Sequence, residues 1–253
     1  SSLALSDGIM KTLLPARHNV VCTGTHGQPT TSSPLSVMLT SAAMAPSYMI
    51  GGIPRNLGQG ALFNDSNYFV IEGDEYDTAF FDKRSKFIHY LPELLIVNNL
   101  EFDHADLFPD LEAVKLSFRR LLNIVPQNGM ILLNGDDANC VEVARDCLAP
   151  LFEVGFSENC AQRIRDVSYS PQGSRFSLGE MTFDLHLDGE LNVRNAGTAA
   201  GAARHYDGQP DANKQARTRA AATARATEGA ATAAPVPGID DARSRQAGTR
   251  QPA

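Results

Sequence analysis

The chain has 253 residues, 43% of them hydrophobic, and a formal net charge of -7. That is material for one large domain or two small ones, and the acidic balance excludes a general nucleic-acid binder, whose affinity rests on neutralising phosphates. No apolar run reaches the roughly 18 residues of a membrane span and the N-terminus lacks the regions of a signal peptide, so a cytoplasmic protein without a membrane partner is expected. Cys22, Cys140, Cys147 and Cys160 show no close metal-binding spacing and read as reduced, structural thiols.

The chain opens without a methionine, and Ile9 to Leu14 is a short candidate helix. The first apolar run, Asn19 to Cys22, leads into Thr23-Gly24-Thr25-His26-Gly27 and then the hydroxyl-rich helix start Thr30-Thr31-Ser32. Glycines in such a turn let the backbone approach an anion, and the first N–H groups of the following helix face it. A P-loop would continue Gly-Lys-[Ser/Thr], whereas Gly27 is followed by Gln28 and Pro29. Further apolar runs, Tyr68 to Ile71, Leu94 to Val97 and Met130 to Leu133, have the pattern of strands buried on both faces of a parallel sheet.

After Pro109, Asp110 reads as an N-cap for a helix with Leu111, Val114, Phe118, Leu121, Leu122 and Val125 on its apolar face and Lys115, Arg119 and Arg120 toward solvent. From about Arg163 the apolar residues alternate through Val167, Tyr169, Phe176, Leu178, Phe183 and Leu185, with turn signals at Pro171-Gln172-Gly173 and Gly179-Glu180, so antiparallel strands are expected. From Asp207 the chain is Ala/Thr/Arg/Gly/Pro-rich, with 7 Lys/Arg against 5 Asp/Glu, and too poor in apolar residues to offset its chain entropy. A disordered tail over 207–253 is the expectation, with residues 1–206 as the folded domain. The fold class is α/β: a P-loop-type, mostly parallel sheet flanked by helices, with a small antiparallel β extension.

Polar clusters follow the apolar runs: Glu72-Gly73-Asp74-Glu75-Tyr76-Asp77 after the second, Asn98-Asn99-Leu100-Glu101-Phe102-Asp103-His104 after the third, and Asn134-Gly135-Asp136-Asp137 after the fourth. In an open parallel sheet these clusters lie at one edge, where ligands bind. So many carboxylates on one rim suit a cation held beside a phosphate, while each acid singly also suits a helix cap or a solvated loop end.

These motifs, together with Asn192-Val193-Arg194-Asn195-Ala196, resemble the central domain of the Mur ligase family over about residues 1 to 206. The second and third clusters look most like the branch that joins UDP-N-acetylmuramate to a murein tripeptide. The resemblance implies ATP and Mg2+ as cofactors, and an acyl phosphate on the lactyl carboxylate that the tripeptide amine attacks. It implies nucleotide binding by Gly24, Thr25, His26, Gly27, Gln28, Thr30, Thr31, Asn99, Asn192 and Asn195. Glu72 and His104 would be the catalytic metal ligands, with Thr30 as a third. Phe118 stands where some members carry a carbamylated lysine, so no such modification is expected.

Departures accompany the match. The family's Lys-Thr is Gln28-Pro29, and Leu191 stands where many relatives have His. The family's N-terminal domain has no counterpart here and its C-terminal domain is replaced by the tail, which suggests a frame shift or truncation near Tyr206. A second class of function stays open beside the ligase: a catalytically silent fragment with weak nucleotide binding or none.

Overall fold

A computed structural model describes residues 14–15, 17–74, 77–79, 82–103 and 108–207. The apolar runs form strands β1 (His18–Thr23), β4 (Tyr68–Gly73), β7 (Leu94–Val97) and β8 (Met130–Asn134). Between β1 and β4 come helix α1 (Gln28–Ser41) and two short strands, β2 (Ser47–Met49) and β3 (Ala61–Leu62). A separate hairpin, β5 (Asp77–Ala79) with β6 (Asp82–Ser85), precedes a 3-10 turn at Lys86–Tyr90. Helix α2 (Leu111–Ile124) links β7 to β8, and helix α3 (Ala138–Val143) links β8 to β9 (Leu151–Gly155). Strands β10 (Gln162–Ser170), β11 (Gly173–Leu178) and β12 (Met181–Leu185) then lead to helix α4 (Glu190–Asp207).

Ten strands form one sheet in the order β12-β11-β10-β9-β8-β7-β1-β4-β2-β3. Pairing is parallel from β2 through β4, β1, β7, β8 and β9 to β10, and antiparallel at the β2–β3, β10–β11 and β11–β12 pairs. The parallel strands therefore end on one edge, which sets the glycine loop beside the polar ends of β4, β7 and β8.

Strand alternation divides the apolar residues between two cores. Val20, Cys22, Leu94, Ile96 and Leu132 face one side, with Leu35 and Leu39 of α1 and the alanines of α4. Val21, Leu95, Val97, Ile131 and Leu133 face the other, with Phe118, Leu121 and Leu122 of α2. Burial on both faces is why β7 reads as four consecutive apolar residues. All four cysteines are free, and burial pushes the Cys22 thiol far up, as expected of a structural thiol.

Helix α2 begins as expected: the Asp110 side chain accepts from the Ala113 N–H at 2.8 Å. Phe118 is fully buried, its ring 5.3 Å from that of Phe87. Lys115 departs from expectation. It is 6% exposed rather than facing solvent, because its ammonium donates to Glu142 of α3 at 2.8 Å and pairs with Glu112 at 3.1 Å. Both carboxylates hold its pKa above the usual lysine value. Arg119 joins the same Glu142 at 2.9 Å, while Arg120 is exposed as expected.

The antiparallel extension is present, with turns at Gln172 and Gly179, and a register shift between Arg165 and Ser168. Helix α4 is the element that apolar periodicity does not reveal. Its buried face is Val193, Ala196, Ala199, Ala200 and Ala202. A Cβ at Gly197 would lie 2.6 Å from Ile164 Cδ1, so a larger residue there would have to displace the Ile164 side chain, and the helix lies close to the sheet. Among the described residues no helix is long and apolar enough to cross a membrane. The expectations for residues 9–13, Glu75, Tyr76, His104 and the tail from 208 lie outside the described residues.

Candidate functional site

Strand β1 delivers the glycine loop to the carboxyl edge of the sheet. Gly24 and Gly27 take φ of 135° and 84°, in the region that favours glycine. Space reinforces the choice, since a Cβ at Gly24 would sit 3.0 Å from the Asn99 backbone N and one at Gly27 2.7 Å from Asn195 Nδ2. The loop is fastened to the end of β7: Thr25 N–H donates to Asn99 O at 3.1 Å and His26 N–H to Asn99 Oδ1 at 2.8 Å. The Thr25 hydroxyl accepts from Glu101 N–H at 3.0 Å and donates to Glu101 O at 3.2 Å.

Helix α1 starts directly after Gly27, with Pro29 in its first turn, where a missing N–H costs no intrahelical bond. The Gln28 carboxamide folds back and donates to Gly24 O at 2.5 Å. Thr30 Oγ1 donates to Gly27 O at 2.9 Å and accepts from Asn195 Nδ2 of α4 at 2.7 Å. Pro34 removes a further helical donor, and the Ser32, Ser36 and Thr40 hydroxyls bond to carbonyls one turn back.

At the end of β4, Glu72 accepts from Ser32 Oγ at 3.0 Å and from Gly51 N–H at 2.9 Å. Burial pushes its carboxyl up to about 7; the Gly51 and Ser32 hydrogen bonds oppose this, and the Asp74 charge adds to it. Of the residues expected to hold Mg2+, Glu72 is thus turned onto Ser32 and Gly51, the Thr30 hydroxyl is engaged by Gly27 and Asn195, and His104 lies outside the described residues. Among the described residues no group of three or more His, Cys, Asp or Glu side chains comes together as a metal site.

At the end of β8, the acids serve the backbone. Asp137 caps α3, accepting from Asn139 N–H at 2.8 Å and Cys140 N–H at 3.1 Å, and also takes Leu100 N–H at 2.9 Å. Asp137→Ala is expected to cost about 1–2 kcal/mol of stability, as a lost N-cap does; a denaturant midpoint equal to wild type would contradict it. Asp136 accepts from Phe156 N–H at 2.8 Å and Ser157 N–H at 2.9 Å and faces Arg194 Nε at 3.6 Å.

Between the loop, the ends of β7 and β8 and the first turns of α4 lies a cavity of about 370 Å3. It brings together His26, Gly27, Thr30, Asn99, Asn192 and Asn195 of the expected nucleotide residues. Gly24, Thr25, Gln28 and Thr31 do not line it; they shape the loop or its support. Leu191 is on the wall and 66% exposed. Larger cavities of about 470 and 590 Å3 lie against the antiparallel extension and the far end of α4. The smaller one is the candidate site, because of these three cavities it is the one where, among the described residues, a glycine loop and a helix start open onto the sheet's carboxyl edge.

Asn98 is a wall residue that the sequence motifs leave unassigned. It is 4% exposed, its Oδ1 accepts from Thr31 Oγ1 at 3.1 Å, and its Nδ2 is buried without a hydrogen-bond partner among the described residues. Its one sequence signal is its place beside Asn99, just past the end of β7.

Residues 22–203 match the Mur ligase middle domain. The chain is 40% identical over 198 residues to the UDP-N-acetylmuramate–L-alanyl-gamma-D-glutamyl-meso-2,6-diaminoheptandioate ligase of Haemophilus influenzae, covering 76% of this chain and 43% of that one. It is 40% identical over 190 residues to the same-named ligase of Escherichia coli, covering 74% and 41%. The crystal structure of the corresponding Neisseria meningitides ligase superposes with a TM-score of 0.75 at 33% identity, covering 89% of this chain and 70% of that one. The chain spans less than half the length of these two curated relatives. With a middle-domain match across residues 22–203, most of its length, the chain belongs to the Mur ligase family.

Proposed function

We propose that this chain is the nucleotide-binding middle domain of an ATP-dependent ligase that joins UDP-N-acetylmuramate to a murein tripeptide in the cytoplasm. One observation carries this beyond the family match. The cavity at the sheet's carboxyl edge is bounded by the glycine loop on one side and by the Asn192 and Asn195 turn of α4 on the other. Residues 1–206 form the domain in this proposal, and the segment from 207 is a separate tail.

The nucleoside end fits the residues present. Asn192 and Asn195 spend their Nδ2 donors on Asp188 O and Thr30 Oγ1, which leaves their Oδ1 atoms as acceptors for a base amine. The phosphate end fits in shape but not in charge, because Gln28 and Pro29 supply no cation and no hydroxyl. Glu72, Thr30 and His104 are the residues the family resemblance offers for Mg2+, and Glu72 would have to leave Ser32 and Gly51 to serve it. Bound ATP supplies the phosphoryl group that activates the lactyl carboxylate for attack by the tripeptide amine. The chain's own part is to seat the nucleotide and hold the loop, through the Asn195 latch on Thr30. The Gln28-Pro29 pair supports a second reading, in which the domain binds nucleotide without turnover.

Calorimetric titration with ATP tests the proposal. Binding is expected, and Asn195→Ala is expected to weaken it about tenfold by releasing the first turn of α1 from α4. An absence of binding, or equal affinity for wild type and variant, would overturn it.

A further inference from the structure

We infer that Arg194 reads the nucleobase: its free guanidinium nitrogen, Nη1, donates to a bare ring nitrogen of adenine while the asparagine oxygens of the same helix take the base amine. This rests on the nucleotide-binding domain proposed above and adds a specificity-determining residue that the sequence motifs leave unassigned.

Arg194 lies on the cavity wall, its side chain 16% exposed. Its guanidinium is fixed by what surrounds it. Nη2 donates to Glu190 Oε1 at 2.7 Å, Nε faces Asp136 Oδ2 at 3.6 Å, and Cζ sits 5.1 Å from the centre of the Phe156 ring. Nε is buried without a hydrogen bond, whereas Nη1, which also has no partner among the described residues, keeps accessible surface. A planar fork held this firmly gives up little freedom when its last donor meets a ligand.

Sheet order decides which part of a nucleotide that donor meets. Asp136 follows β8, two strands from β1 and so roughly 10 Å from the glycine loop at the end of β1. Arg194 therefore serves the nucleoside, and the loop the phosphates. At about 100° per residue, Leu191 lies on α4 between Arg194 on one side and Asn195 and Asn192 on the other. Leu191 is 66% exposed on the same wall. An apolar surface with a donor at one side and free amide oxygens at the other suits a flat ring that carries both an amine and unprotonated nitrogens. Arginine only donates and those ring nitrogens only accept, whereas ribose hydroxyls do both. Guanine would set its carbonyl against the asparagine oxygens, acceptor against acceptor.

The test is calorimetry on the whole chain with Mg2+-ATP and its 1-deaza, 3-deaza and 7-deaza analogues, in each of which a C–H replaces one ring nitrogen. One analogue is expected to bind about ten- to a hundredfold more weakly than ATP, the effect of one hydrogen bond to a charged group, and the other two within about threefold of it. Arg194→Met keeps a stem over Phe156 and removes the donor. Asp136 retains its bonds from Phe156 and Ser157 N–H, and Glu190 is 63% exposed, so this variant is expected to fold. It should bind ATP as weakly as wild type binds the weak analogue, and all four ligands within about threefold of one another. Arg194→Lys keeps the charge beside Asp136 but has no fork to reach the base, and should flatten the series as well. A merely structural arginine would lower all four affinities together and leave the preference intact in both variants, which would overturn the inference. Three analogues that bind wild type within about threefold of ATP would also overturn it and leave the proposed domain standing. Failure of wild type to bind any of the four would overturn both.

Discussion

Gln28→Lys and Pro29→Thr, made together, are expected to raise the affinity for Mg2+-ATP about a hundredfold and leave adenosine affinity unchanged. The lysine replaces a neutral amide, now satisfied within the loop on Gly24 O, by a cation free to reach a phosphate. A hydrogen bond to a charged group contributes about 1.5–3 kcal/mol, and the threonine hydroxyl and backbone N–H add about 1 kcal/mol. The sum of about 3 kcal/mol is roughly two decades in affinity. Gln28→Lys alone should account for most of the gain, about ten- to a hundredfold, and Pro29→Thr alone for about fivefold. In turnover the gain is larger still, since one preorganised donor can change a rate by about a hundred- to a thousandfold. Titration of wild type, both single variants and the double variant with Mg2+-ATP and adenosine decides the matter. Equal Mg2+-ATP affinity across the set would show that the loop, not its missing groups, limits binding.

The sequence exposed the parallel centre of the sheet because strands buried on both faces read as continuous apolar runs, as Leu94 to Val97 does. It hid β2 and β3, which are three and two residues long and carry no period to detect. It hid α4 for a different reason. That helix packs through alanine and glycine, whose value is close approach rather than apolar area, so its buried face has no leucine stripe. Lys115 was misplaced because periodicity registers a charge but not the Glu142 that a following helix brings to meet it. At the site, the glycine turn and Asn99 were legible from motif order. The bond from Gln28 to Gly24 and the orphan donor of Asn98 were not, since both depend on where a side chain turns after the backbone is set.

The same limit applies to Glu72, whose place in a strand says nothing of its proton. Glu72→Gln is expected to stabilise the chain by about 3 kcal/mol at about pH 8 in EDTA, and not at all at about pH 4. The carboxyl binds its proton near pH 7 in the fold against 4.5 ordinarily, with burial as the main cause. The folded state therefore holds more protons than the unfolded state between those values, and stability falls as pH rises through that window. Below 4.5 both states are protonated and the carboxyl costs nothing; above about 7 the whole penalty applies. Glutamine matches the protonated acid, with an oxygen for Gly51 N–H and an amide that can donate to Ser32 Oγ, so it removes the penalty without losing a partner. In a domain of this size the stabilisation corresponds to a melting temperature higher by about 8 °C at the alkaline end. Thermal melts of both proteins across the range check it, and a difference that does not change with pH would mean that Glu72 titrates as an ordinary carboxylate.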